Sequence, residues 1–242
     1  MQDPYKDVRP VYSRRVKMAV RMFNTFNASE VTFSEVRKNK QGGKVVYLNS
    51  SSGQKLLFQL PKMRAPFGLS EYHDEKSGST TYSLPLSLED PSILKSFQDL
   101  DSVVLDFITK NSEEILGKRM NRDVISEGIY KSPVKPSSKE GYSPTLNLKV
   151  LVNYKDGSIG TEAYDSNRQV VPLTDLEKGQ FLNAIVEINQ IWRTPAGVGV
   201  SIRVHQVMFA AANKLKPCAF LAVDAEPEDE REDSSDISVD GE

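Results

Sequence analysis

The chain has 242 residues, of which 38% are hydrophobic and 26% charged, and its formal net charge is −2. No run approaches the roughly 18 apolar residues that a membrane span needs, and the opening MQDPYKDVRPVYSRR lacks the apolar stretch of a secretory leader, so an intracellular protein that does not enter a membrane is expected. The single cysteine, Cys218, excludes an intrachain disulfide and cannot build a zinc site by itself.

The near-neutral balance conceals a split. Residues 224–242 carry −9 and residues 1–223 carry +7. A sign asymmetry of this size suggests a polyanionic ligand and an internal mimic of it.

Residues 1–15 read as a flexible arm, 16–223 as one elaborated domain and 224–242 as a disordered acidic tail. From residue 16, Val16, Met18, Val20 and Met22 alternate with Lys17, Ala19, Arg21 and Phe23, which predicts a half-buried strand, and Leu56, Phe58 and Leu60 predict another. Lys62 to Gly68 then sets Lys62 and Arg64 beside Phe67 in a segment bent by Pro66 and Gly68. After a polar connector at 73–80, Tyr82, Leu84, Leu86 and Leu88 resume the period of two. Pro85 lacks a backbone donor, so its strand is expected at an edge or a bulge.

Residues 90–128 break the period as a helical insertion. Asp90 and Pro91 form an N-cap and first-turn pair, and Ile93, Leu94, Phe97, Leu100, Val104, Phe107 and Ile108 follow at helical spacing. A second short helix is expected from Ser112, with Glu113 and Glu114 in its first turn and a stop at Gly117. Residues 131–144, rich in Pro, Lys and Ser, read as a connector.

Strand patterning returns at Leu146, Leu148, Val150 and Val152, which turns Lys149 to the opposite face, with Tyr154 and Lys155 just beyond. The last two strands, Leu182 to Ile188 and Val198 to Val204, flank a turn at Pro195-Ala196-Gly197. Val198, Val200, Ile202 and Val204 make one face, leaving Gly199, Ser201, Arg203 and His205 on a wet, basic one. Trp192 and Arg193 precede the turn. Trp192 is either a core plug or a stacking plane, and Arg193 beside it is a candidate phosphate contact. Cations interleaved with aromatics on a basic body favour a groove that follows a phosphate backbone, with affinity from counterion release and stacking.

No phosphate-binding glycine loop is present, and the only histidines, His73 and His205, suggest neither a zinc cluster nor a triad. The acidic pairs Glu113/Glu114 and Asp229/Glu230 read as solvated charges. No catalysis, metal or cofactor is expected.

The stretch Ile188 to Ser201, with its order Trp192, Arg193, Thr194, Pro195, Ala196, Gly197, resembles the signature hairpin of the single-stranded DNA-binding protein family of short-tailed lytic coliphages. Lys62 to Gly68, Tyr82 to Leu88 and Tyr142 to Leu146 are similar to the version found in large DNA viruses of algae and protists. The resemblance covers roughly residues 55–210, with the tail matching in character only. It implies a mainly β OB-fold, a five-stranded Greek-key barrel with a helical insertion between strands, that binds single-stranded DNA without sequence preference in viral DNA replication and recombination. It further implies a homodimer, and an acidic tail that covers the DNA groove and recruits DNA polymerase and other replication proteins. The expected DNA contacts are Trp192, matched by position, with Arg193 beside it, and Lys149, Tyr154, Lys155, Arg203, Lys62, Arg64 and Phe67, chosen by charge and strand parity. The expected partner-binding residues in the tail are Asp229, Glu230, Glu232, Asp233, Asp236, Ile237, Val239 and Asp240. The family's tail ends in an aromatic residue, whereas this chain ends Asp240-Gly241-Glu242, which leaves Ile237 and Val239 as the apolar residues near its end. Two other classes fit the same residues: an RNA-binding or nucleic-acid-annealing module, and a virion or scaffold interaction protein with a chaperone-like acidic tail.

Overall fold

A long hairpin near the C-terminal end organises the molecule. The computed structural model describes residues 19–38, 42–75, 78–153 and 156–210. All of these belong to a unit spanning Met1–Ala212, and a second unit comprises Asn213–Glu242. The expected N-terminal arm, Tyr154, Lys155 and the acidic tail lie outside the described residues.

In chain order the strands are β1 (Arg21–Met22), β2 (Val31–Phe33), β3 (Arg37–Lys38), β4 (Lys44–Ser50), β5 (Leu56–Gln59), β6 (Met63–Arg64), β7 (Ser70–Asp74) and β8 (Ser79–Ser87). Helices α1 (Pro91–Lys110), α2 (Ser112–Leu116) and α3 (Arg122–Val124) follow, the last running into a π turn at Ile125–Ile129. Strands resume with β9 (Tyr130–Lys131), β10 (Val134–Lys135), β11 (Thr145–Val150), β12 (Glu162–Tyr164), β13 (Phe181–Thr194) and β14 (Gly197–Phe209).

These segments occupy five positions of a barrel. β4, β5 and β6 form one interrupted strand that runs antiparallel along β13, with Trp192 opposite Val45, Ile188 opposite Leu56 and Leu182 opposite Met63. β13 pairs with β14 across the hairpin. β14 pairs in parallel with β11, and β11 pairs antiparallel with β8. Numbered by chain order, the five positions therefore connect as first to fourth, fourth to fifth, fifth to third and third to second, which is the Greek-key order of a partly open OB barrel. The chain is mainly β, and its helices enter between the second and third positions.

Period-two patterning places the core. Leu84 and Leu86, Leu146 and Leu148, Val186 and Ile188, and Ile202 and Val204 alternate with outward residues and are buried. Helix α1 covers one side of this core with Ile93, Phe97, Leu100, Val104 and Ile108. Asp90 starts α1 by accepting from the Ser92 amide at 2.8 Å, with Pro91 in the first turn. Phe97 stacks on Phe23 at 4.7 Å, and its complete burial contributes roughly 2–3 kcal/mol. Further along, Phe107 stacks on Phe33 at 4.0 Å. The short helix α2 stops at Gly117, whose φ of +83° is the left-handed conformation that a helix end favours.

Pro85 pairs with Asn147 on one side and lies beyond the β7 ladder, which ends at Ser83, so its missing donor faces no strand. Two segments differ from the pattern reading. Among the described residues of the first predicted strand only Arg21–Met22 pairs, Val20 and Met22 are exposed, and Phe23 is the residue that enters the core. The large stacking surfaces offered by Phe26, Phe58 and Phe97 around Phe23 outweigh the alternation. The supposed connector at 131–144 begins with Lys131 in β9 and contains all of β10, both paired with the barrel.

Candidate nucleic-acid interface

The outward face of the β13–β14 hairpin is shaped by two bulges. Between the Ile188–Ile202 and Gln190–Ser201 pairs β13 has one extra residue, Asn189, and between the Ile185–Gln206 and Val186–Val204 pairs β14 has one extra, His205. A bulge bends its strand and re-aims side chains. The first brings Trp192 onto the same outward face as Glu187 and Arg203, although strict alternation from Glu187 would turn it inward.

Register then builds two rows across the sheet. Arg37, Val45, Trp192, Gly199 and Lys131 lie side by side on five neighbouring strands. Leu57, Glu187, Arg203, Lys149, Ser83 and Ser70 do so on six. Between the rows is an open groove of about 450 Å³, lined by Lys131, Lys135, Lys149 and Arg203, by Tyr82 and Trp192, and by polar groups that include Asn147, Gln190 and Ser201. No Asp or Glu lines it, and none of the four cations has a carboxylate within ion-pair distance among the described residues.

Close backbone approach makes one wall. β9 lies so near β14 that a Cβ on Gly199 would sit 2.4 Å from the Lys131 carbonyl oxygen and 3.0 Å from Trp192 Cζ2. A Cβ on Gly197 would sit 2.6 Å from the Ile129 carbonyl oxygen. Only glycine lets Lys131 and Trp192 share this end of the groove.

Beneath the face, polar groups hold its floor. Asn189 is buried and turns its amide oxygen to the Arg203 guanidinium, with Nε at 2.8 Å. Glu187 is buried too, meeting Lys55 Nζ at 3.0 Å and His205 Nε2 at 2.7 Å. Burial pushes the Glu187 carboxyl up, but hydrogen bonds from His205 and Lys55 and their charges outweigh it and hold the group at about 2.

The groove brings Trp192, Arg203 and Lys149 together. Trp192 is half-buried in the groove wall and absent from the buried core, which does not fit the core-plug reading. Arg193 pairs with the buried Val198 and faces away from Trp192, its Nη1 reaching the Gly197 carbonyl at 3.5 Å. Lys62, Arg64 and Phe67 lie outside the groove. Lys62 Nζ stands 5.8 Å from the Phe181 ring, Arg64 pairs with Phe181 at the opposite end of β13, and Phe67 is exposed.

Pattern reasoning misses Lys131 and Lys135, which it assigns to a connector; Tyr82, which it assigns to the core face, packs against the core and also borders the groove. Pattern reasoning also misses Tyr47, opposite Gln190, and Tyr72, opposite Thr81, two exposed aromatics on strands bordering the groove. For Asn147 the signal was present, since it shares strand parity with Lys149. For Tyr47 and Tyr72 only cross-strand register reveals it.

A family model described as a family of unknown function (DUF5871) matches residues 77–224, more than half of the chain. The chain belongs to that family. The matched segment contains every residue named as lining the groove. No curated protein matches. Among solved structures, the chain is similar to the single-stranded DNA-binding protein from bacteriophage Enc34 in complex with ssDNA, with 10% identity, a TM-score of 0.41, and 76% of this chain and 97% of that one covered. It is also similar to gp2.5, a single-stranded DNA-binding protein encoded by bacteriophage T7, with 15% identity, a TM-score of 0.40, and coverage of 76% and 100%.

Among the described residues no cluster of His, Cys, Asp and Glu could hold a metal ion, and no helix is long and apolar enough to cross a membrane.

Proposed function

We propose that the groove binds single-stranded DNA without sequence preference. One observation carries this: Lys131, Lys135, Lys149 and Arg203 surround Trp192 and Tyr82 in an open groove with no carboxylate in its lining. Cations that track a phosphate backbone, combined with aromatic planes that accept any base, are what sequence-tolerant single-strand binding requires. A duplex keeps its bases stacked on one another and offers Trp192 and Tyr82 no free face.

The acidic tail supports a wider role. Its charge of −9 against a body of +7 makes residues 224–242 a competitor for the groove, displaced when DNA enters and then free for partners. In this role the protein coats single strands during viral DNA replication and recombination as a homodimer, and the tail, with Asp229 to Asp240 and its apolar Ile237 and Val239, recruits DNA polymerase and other replication proteins.

The test is a titration of oligo-dT, matched oligo-U and duplex DNA at several salt concentrations. The expected result is salt-sensitive binding of oligo-dT with much weaker binding of duplex. Equal affinity for single strand and duplex at every salt concentration would refute the proposal, and preference for oligo-U would redirect it to RNA. Removal of residues 224–242 is expected to tighten oligo-dT binding.

A further inference from the structure

The helical insertion does more than cover the core. We infer that Asp101 of α1 is a positioning residue for the cationic wall of the groove, an inference that rests on the nucleic-acid reading above.

Lys131 and Lys135 stand on a thin support. β9 and β10 are two residues each, one paired with β14 and the other with β11, and of Ser132 and Pro133 between them only the Pro133 carbonyl is held by the sheet, accepting from the Asn147 amide of β11 at 2.8 Å. Two-residue ladders on different strands do not by themselves fix the chain that joins them. Asp101 supplies the constraint at Tyr130 and Ser132, on the Lys131 side of that bond. Tyr130 Oη donates to its Oδ1 at 2.6 Å, and Ser132 Oγ donates to its Oδ2, so one carboxylate grips the residues on both sides of Lys131. The Ser132 hydroxyl also accepts from the Val134 amide at 3.0 Å, which carries the constraint forward to β10 and Lys135.

The grip is anchored at its other end. Asp101 follows Leu100, and Leu100 and Val104 are completely buried in the core, so the carboxylate is held by a helix that cannot shift without disturbing the barrel. The residue type matters because an ionised carboxylate offers two acceptor oxygens, whereas an amide offers one. Hydrogen bonds to a charged acceptor are also the stronger kind. Burial raises the Asp101 pKa, opposed by the bonds from Ser132 and Tyr130 and by the charge of Lys135. Asp101 does not line the groove. Its effect on a ligand passes entirely through the segment it holds.

The experiment uses the full chain and oligo-dT, with affinity measured as a function of salt at a temperature where thermal melts show every variant folded. The pair K131Q/K135Q is expected to lower the magnitude of the salt slope by about 1.4, since each phosphate contact to a single strand contributes about 0.7. Asp101→Asn removes one acceptor and is expected to lower the slope by up to the same amount, with several-fold weaker binding. Tyr130→Phe and Ser132→Ala, which each delete one donor, serve as independent probes should D101N not fold, and each is expected to move the slope in the same direction. Adding K131Q/K135Q to D101N should have less effect than in the unaltered chain. A variant set that lowers the melting temperature while leaving slope and affinity unchanged, or whose effects with K131Q/K135Q are fully additive, overturns the positioning role alone. Absence of salt-dependent oligo-dT binding by the unaltered chain overturns the nucleic-acid reading together with it.

Discussion

The two ends of β13 carry the same ingredients and arrange them differently. At one end Trp192 sits among Lys131, Lys149 and Arg203 in a groove without carboxylates. At the other, Phe181 sits with Lys62 and Arg64 in a cleft whose lining also contains Glu89 and Asp90. There Arg64 already directs its Nε to the Gly179 carbonyl at 3.4 Å, and Asp90 caps α1. Neither Lys62 nor Arg64 is ion-paired among the described residues, but acidic side chains share their cleft, whereas none shares the lining of the groove around Trp192. The distinction belongs to tertiary neighbours and not to the sequence segments themselves.

The change expected to separate the two ends most sharply is Gly199→Ala. Its Cβ would meet the Lys131 carbonyl at 2.4 Å, a backbone atom that can yield only if β9 moves away from β14. The expected cost is roughly 1–3 kcal/mol of stability. Displacement of Lys131 with the wall adds a loss of oligo-dT affinity of about tenfold or more, taking the loss as that of one charge-assisted contact at roughly 1.5–3 kcal/mol. Melting and titration of the same sample measure both, and a stable variant with undiminished affinity would show that β9 is not part of the site.

Next in size is Trp192→Ala. Stacking of a base on an aromatic contributes about 1–3 kcal/mol, so binding is expected to weaken by roughly 5- to 150-fold with little change in melting temperature, because Trp192 is not part of the buried core. Trp192 is the only tryptophan, so its fluorescence should be quenched as oligo-dT is added. Unquenched emission at saturating DNA would remove it from the site.

Smaller again is the difference between Lys149→Gln and Lys62→Gln. Loss of Lys149 should reduce the magnitude of the salt slope by about 0.7, the contribution of one phosphate contact. Loss of Lys62 at the carboxylate-bearing end should leave it unchanged. Equal effects of the two substitutions would mean that a strand follows the whole length of β13, whose 14 residues make a path on the order of 45 Å at about 3.3 Å per residue.

Half of the groove was legible from one-dimensional pattern. Lys149 and Arg203 follow from strand parity because β11 and the first part of β14 are regular, with buried Leu148 and Ile202 as their reference points. The barrel order itself is consistent with the strands and helical insertion read in chain order. Trp192 required more, since the Asn189 bulge decides its face and no composition signal marks an extra residue in a strand. Lys131 and Lys135 were hidden for a different reason. Ser132, Pro133 and Pro136 are turn and connector residues by propensity, and a two-residue ladder is too short to display any period. Their order comes from Asp101, about thirty residues earlier, and from the absence of a side chain at Gly199.

The mildest test compares the buried Glu187 with the half-buried Asp101 through pH. Glu187 is held at about 2 in the folded protein, below its ordinary value of 4.5. The unfolded chain therefore binds more protons at this residue across that window, so stability rises with pH there, and the contribution is complete above about 4.5 and lost as pH falls toward 2. Asp101 has the opposite sign. Its folded pKa is raised above 3.8, so the native state binds the proton more tightly, and stability contributed by that proton is lost as pH rises through the folded value. The limiting slope for one proton is about 1.4 kcal/mol per pH unit. Melting temperatures recorded between pH 2.5 and 6 should thus fall less steeply toward acid in Glu187→Gln than in the unaltered chain, and more steeply in Asp101→Asn. If the two variants shift the profile in the same direction, either burial does not prevail at Asp101 or the bonds from His205 and Lys55 do not prevail at Glu187.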